Sequence, residues 1–381
     1  QNISNFVFFL NHLQEMNTSL DKKKMLLINQ LKNTKARITN YMLVTNLYND
    51  LDFKCHFRLT RNSVEVLMHK VKPFYISVSK IGRSKVEFNK ATLMTIWYMS
   101  NTETFRQVGD RFGLSRGLSC RTIHKYIRAI SKLIDDFIIW PLAINFLVLK
   151  QVANIKTVQK FKNLRINYMP NTVGCIDGCH IRIHPPKDKR SDYTNRKMFQ
   201  SIVLLAVCNA QLEFTYIFTG WPGSSHDARV FKNSSLGNTL MNNAQEIMSK
   251  ELHILRDSAF PLLDNLMVPY KATHILSDRE KLFNRRLSST RVVIEQAFGL
   301  LLGRFRRLKS IESKTIEMMS LTVTAACVLH NLTLKNNDTM EIEDTDSDLN
   351  FLNEEIHQDF GGPIAVTQRQ GINKRNNLTS W

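Results

Sequence analysis

The chain has 381 residues with 52 lysines and arginines against 33 acids, a net charge of +19, and a mean hydropathy of -0.23. No apolar run approaches the roughly 18 residues that a membrane helix needs, so a membrane-spanning protein is excluded and a globular chain with room for two domains is expected. So large a basic excess favours a polyanionic partner, with nucleic acid ahead of a membrane surface.

The charge is unevenly placed. Nine acids and no lysine or arginine lie between Asp338 and Asp359, so setting them aside raises the net charge from +19 to +28. Six cysteines (Cys55, Cys120, Cys175, Cys179, Cys208, Cys327) lack the spacing of a disulfide framework, which fits a reducing compartment, nucleus or cytoplasm. Phe6–Leu10 is too short for the core of a signal peptide and has no basic residues before it, so secretion is not expected.

In chain order, residues 1–60 predict a helical arm with a basic run at Lys22–Lys24, and residues 61–165 a helical region. Within it, Thr104–Ile127 reads as a helix-turn-helix. Val108 and Phe112 face inward, Gly113 makes the turn, and Ser115 caps a second helix carrying Arg116, Arg121 and Lys125, which could enter a major groove. An ordinary helical hairpin with a solvated basic face is the competing reading, and Ser119 and Thr122 weaken the apolar seam of its second helix.

The periodicity then changes. Val173–Ile183, Gln200–Cys208 and Glu213–Gly220 read as three successive strands, a meander. A helix starts at Ser225–Asp227, a short strand from His253 ends in an acid, and two apolar helices follow, one through Arg291–Leu302 and one over Met318–Leu334. Residues 166–335 thus predict an α/β domain, and residues 336–381 an acidic, disordered tail.

Three carboxylates fall where a core would prefer none: Asp177 inside an apolar strand, Asp257 at the end of another, and Glu295 in a helix that is apolar on most faces. Their mutual repulsion calls for a cation. Divalent metal ions held by such a cluster can activate an attacking oxygen in phosphodiester chemistry, and hard oxygen ligands favour Mg2+ or Mn2+. The competing reading pairs each acid with its own arginine, as Arg291 one turn before Glu295 would. Asp227, at a helix start, is either a fourth ligand or only a cap, and His226 beside it could position a phosphate or simply pack. Cys175, Cys179, His180 and His184 do not make a zinc site, because strand alternation sends the cysteines and the histidines to opposite faces. Arg196, Lys197, Arg304, Arg306, Arg307 and Lys309, with the basic residues of Pro185–Arg190, are expected to surround the acids as phosphate contacts.

These stretches resemble one family. Gly174–Ile181, Tyr193–Lys197, Gly220–Val230, Asp257–Leu262 and Phe283–Phe305 run in the order found in the PIF/Harbinger transposases and the nucleases derived from them. The resemblance covers about residues 90–335. It implies an RNase H-like fold, a mixed sheet flanked by helices, preceded by an all-α region. It also implies a site in which Asp177, Asp257 and Glu295 are the catalytic acids and, with Asp227, the metal ligands. A metal-dependent DNA endonuclease or transposase is the leading expectation, nuclear, with a Myb-like partner protein and a homo-oligomer implied by analogy. The alternative is a domesticated DNA-binding or adaptor protein with weak or no nuclease activity. Three departures stand out: Arg256 where a glycine is usual before the second acid, Asn209 where an aspartate is common, and Leu302 in place of a lysine.

Overall fold

A computed structural model describes residues 16, 18–26, 37–75, 86–140, 158–161, 168–258, 260–271, 275–339 and 366–379. Its centre is a mixed sheet. Strands β1 (Thr172–His184), β2 (Ser201–Cys208) and β3 (Phe214–Pro222) form an antiparallel meander, as their periodicity predicts. β4 (His253–Leu255) and β5 (Leu266–Met267) add in parallel on the other side of β1, so the order is β3-β2-β1-β4-β5, and β6 (Ile311–Glu312) pairs with the far end of β1. This arrangement, with helices on its faces, is consistent with an RNase H-like fold. β2 is buried at every residue, which is why it reads as a continuous apolar run rather than an alternating one. Asn209 forms the β2–β3 turn: its Oδ1 accepts from the Gln211 and Glu213 amides at 2.9 and 3.1 Å.

Among the described residues, the helices before the sheet include α1 (Tyr41–Leu47), α2 (Asp50–Phe57), α3 (Arg61–Tyr75), α4 (Phe88–Ser100), α5 (Phe105–Arg111) and α6 (Arg116–Ser131), with a single turn at Ile134–Phe137 after them. Residues 41–57 are no free arm, since Tyr41, Phe53 and Phe57 are buried in the same core as the residues of α4 and α6. Thr104 and Gln107 close a capping box on α5, and the Ser115 hydroxyl accepts from the Leu118 amide to cap α6. Gly113 turns the chain between them at φ +67°, where a Cβ would also stand 2.7 Å from the Ile38 carbonyl. Ser119 does not weaken the seam as expected. It is buried, its hydroxyl donates to the Ser115 carbonyl at 3.1 Å, and its small side chain lets Gly109 approach, where a Cβ would come within 3.0 Å of it. Arg116, Arg121 and Lys125 are exposed.

After β3 comes α7 (Asp227–Asn233); after β5 come the 27-residue α8 (Asp278–Arg304) and then α9 (Ile316–Lys335). Ser277 and Glu280 make a capping box at the start of α8. α9 binds the helical region to the sheet: the Ser131 hydroxyl donates to the Leu321 carbonyl at 3.0 Å, and Asn331 Nδ2 donates to the carbonyls of Phe137 and Phe214 at 2.9 and 2.7 Å. One hydrophobic core therefore crosses the boundary that the sequence places at residue 165.

Two expectations are corrected here. Arg304 is not a phosphate contact: it is 4% exposed, and its guanidinium donates to the Arg58 carbonyl at 2.8 Å and to Asp338 Oδ1 at 3.3 Å. Arg307 is likewise buried, donating from Nε to the Tyr98 carbonyl at 3.2 Å with its guanidinium 4.0 Å from the Tyr98 ring centroid. Both arginines follow the apolar stretch of α8 into the core, where backbone carbonyls and a carboxylate compensate their charge. The tail is not wholly disordered either. Val366–Thr379 forms a helix, α10, on which Lys374 donates to the carbonyls of Leu252 and Asp264 at 2.9 and 2.8 Å and Arg375 lies 3.9 Å from the Tyr270 ring centroid. Residues 340–365, with most of the acidic run, lie outside the described residues.

Candidate active site

Sheet register brings the first two acids together. Cys175 on β1 pairs with Leu255 on the parallel β4, so Asp177 and Asp257, each two residues further on, emerge side by side. Across β1 on the other side, the partner of Asp177 is the small Ala206. Asp227 opens α7 after His226 at the N-cap, and its carboxylate lies against Gly178. A Cβ at 178 would stand 2.7 Å from Asp227 Oδ1, so only glycine lets α7 place its acid there. Glu295 comes from α8, where Arg291 and Glu295 share one helix face at a spacing of four.

What joins these acids is arginine. Arg256, the residue between β4 and Asp257, is fully buried. Its Nη1 donates to Asp177 Oδ1 at 2.7 Å, its Nη2 to Asp227 Oδ2 at 3.2 Å, and its Nε to Asp257 Oδ1 at 2.9 Å. The three edges of one planar fork thus meet carboxylates from three different elements, a geometry that lysine could not reproduce. Phe260 stacks on the fork with its centroid 3.5 Å from Cζ. Arg291 completes the arrangement, its Nη2 lying 3.3 Å from both Asp177 Oδ2 and Glu295 Oε1.

Asp177 is therefore held at both oxygens, Oδ1 by Arg256 and by the Gly178 amide at 2.6 Å, and Oδ2 by Arg291. Burial pushes its carboxyl above the ordinary 3.8; Arg256 and Arg291 pull it back, while Asp257 and Asp227 add repulsion. Formally, four carboxylates face two guanidinium groups, and the cluster keeps two net negative charges.

The expected acids do converge: Asp177, Asp227 and Asp257 share Arg256, and Glu295 joins through Arg291. They do not form the expected metal cradle. An ion shared by Asp177 and Asp257 would stand about 2.0–2.6 Å from their oxygens, in the space that the guanidinium fills, so with Arg256 seated these residues do not fit a divalent metal. Among the described residues no group of three or more His, Cys, Asp or Glu side chains is arranged to hold one. For Glu295 the ion pair with Arg291, the competing reading of the sequence, is the one formed. Sequence reasoning missed the coordinating part of Arg256, the second partner of Arg291, and Phe260. The only signal was a bulky cation where the resemblance implies glycine.

The remaining candidates are placed as follows. Arg196 and Lys197 are exposed before β2, and the Arg196 guanidinium contacts the His226 ring beside Asp227. Cys175 and Cys179 are buried while His180 and His184 are exposed, as alternation predicts for residues that do not converge. Buried in an apolar setting, the thiols of Cys175 and Cys179 are pushed well above their ordinary value.

Comparison with known proteins bears on the family rather than on the individual residues. Residues 176–331 match the family described as DDE superfamily endonuclease. The candidate nuclease HARBI1 of Homo sapiens is 30% identical over 235 residues, 60% of this chain and 62% of that protein. Protein ALP1-like of Arabidopsis thaliana is 23% identical over 304 residues, 75% of this chain and 71% of that protein. Antagonist of like heterochromatin protein 1, from the same plant, is 24% identical over 309 residues, 77% of this chain and 75% of that protein. The chain therefore spans less than two thirds of the length of the human relative. No solved structure matches it.

Proposed function

The chain carries over residues 176–331 a DDE superfamily endonuclease domain of the Harbinger-derived kind, and from that premise we propose that it acts on DNA as a nuclease. Asp177, Asp257 and Glu295 are the hydrolytic carboxylates in this reading and Asp227 is a fourth. The observation that carries it is their convergence from β1, the end of β4, α7 and α8. Four acids gathered in one half-buried place are costly to stability, a cost that a purely structural site has no reason to bear.

The chain's own groups supply substrate binding. Arg196 and Lys197 stand exposed near the acid cluster, and Arg116, Arg121 and Lys125 form the exposed face of α6 that would meet DNA if α5 and α6 act as a helix-turn-helix. Work on divalent ions, Mg2+ or Mn2+, a nuclear location, a Myb-like partner and a homo-oligomer extend the same reading by resemblance. With Arg256 seated the aspartates offer no open coordination position, so the wild-type chain is expected to show no metal-dependent cleavage through them. Nicking of supercoiled plasmid in Mn2+ by Arg256→Gly tests this reading: it should fall to background when Asp177→Asn is added, and nicking unchanged by that addition removes Asp177 from the site.

A second reading is favoured by Arg256 itself: a DNA-binding or adaptor protein with weak or no nuclease activity. The plant relative whose name describes antagonism of another protein points the same way. Salt-dependent DNA binding with no nicking in any metal supports it.

A further inference from the structure

Arg256 is fully buried, and apart from a long 3.4 Å bond from Nη1 to the Ile176 carbonyl its described hydrogen bonds go to carboxylates. A buried arginine held for structure is satisfied by one carboxylate and backbone carbonyls, as Arg304 is by Asp338 and the Arg58 carbonyl. Arg256 instead draws in Asp177, Asp227 and Asp257, each through a different nitrogen, with Phe260 closing one face of the fork. These carboxylates repel one another and require a cation among them. The cation present is covalently part of the chain and is placed where an ion shared by Asp177 and Asp257 would stand. Arg291 reinforces the exclusion by holding the second oxygen of Asp177.

We propose that Arg256 is the resident cation of this site, occupying the position between Asp177, Asp227 and Asp257 and keeping divalent metal ions out. The protein is then a DDE-fold nuclease held closed by its own side chain. The inference rests on reading the acids as the DDE site, but it concerns ion binding and can fail separately from cleavage.

The test is Mn2+ uptake by the full chain, followed through the electron paramagnetic resonance signal of free Mn2+. Wild type should take up no ion at this site. Arg256→Gly should bind one with at least tenfold higher affinity, and Asp177→Asn added to it should abolish the gain. Asp177-dependent Mn2+ binding by the wild type, or no gain in Arg256→Gly, overturns the proposal. Should Arg256→Gly not fold, thermal unfolding of the wild type decides: Mn2+ is expected to leave its melting temperature unshifted, and a shift that vanishes in Asp177→Asn overturns the exclusion. An Arg256→Gly protein that binds Mn2+ yet nicks no DNA keeps this inference and defeats the nuclease reading.

Discussion

Arg256 decides the character of the site, because it is a single charge that three acids depend on. Replacing one partner of a buried ion cluster leaves the others uncompensated, and breaking such a pair costs about 3–5 kcal/mol. Arg256→Met, similar in volume but uncharged, should lower stability by an amount of that order in urea unfolding at neutral pH. The sign with pH follows from Asp177. A carboxyl held above its ordinary 3.8 in the folded state favours folding more as it takes up a proton. Arg256 lowers the Asp177 carboxyl, so its loss raises that group further in the variant than in the wild type and the deficit of Arg256→Met should shrink as the pH falls; a deficit that grows on acidification would contradict the arrangement. Gly178→Ala probes the same place from the backbone side. Its new methyl would meet Asp227 Oδ1 at 2.7 Å, so it should displace Asp227 and change Mn2+ uptake in the Arg256→Gly background. The acids themselves were legible, because a carboxylate inside an apolar run is conspicuous in any sequence. Arg256 was legible only as an oddity: nothing in a one-dimensional pattern says whether an arginine beside an aspartate turns to solvent or folds back over its neighbours.

At the scale of elements, the strands and helices followed their periodicity, and the errors came from charged residues inside them. Arg304 reads as basic surface, but α8 carries it into the core against Asp338, an acid of the supposed tail. Burial alone would raise the Asp338 carboxyl; the Thr60 amide, Arg304, Ser63 and Lys54 outweigh it and hold it below 3.8. Its stabilisation is thus complete above the unfolded value and is lost as pH falls through the depressed folded one. Asp338→Asn should lower the melting temperature at pH 7, with the difference from wild type fading toward pH 2; an equal deficit at both pH values would place the effect in packing. α10 was missed for a similar reason. Its sequence is mostly polar, with only Val366, Ile372 and Leu378 apolar, and besides Leu378 it is anchored by Lys374 on backbone carbonyls and Arg375 on Tyr270, contacts with no periodic signature. Burial lowers the Lys374 ammonium to about 8, which marks how far the docked helix withdraws it from water.

For the whole molecule, the net charge of +19 and the shared core matter most. Since α9 packs against both the helical region and the sheet, a fragment of residues 166–335 should expose apolar surface and fail to give a soluble, cooperatively unfolding monomer. A well-behaved fragment would show the boundary to be real. DNA affinity should fall steeply with salt, and each phosphate contact removed should flatten the slope by about 0.9. The combined Arg116→Ala, Arg121→Ala and Lys125→Ala variant therefore tests α6 as a DNA face, and an unchanged slope assigns these residues to a solvated surface. The most direct test of the central claim, a DDE carboxylate site closed by Arg256, is Mn2+-dependent nicking of supercoiled plasmid by wild type, Arg256→Gly, and Arg256→Gly with Asp177→Asn. Nicking at least tenfold faster in Arg256→Gly than in wild type, and at background in the double variant, is the predicted result. No nicking by Arg256→Gly, or nicking that survives the loss of Asp177, would contradict it.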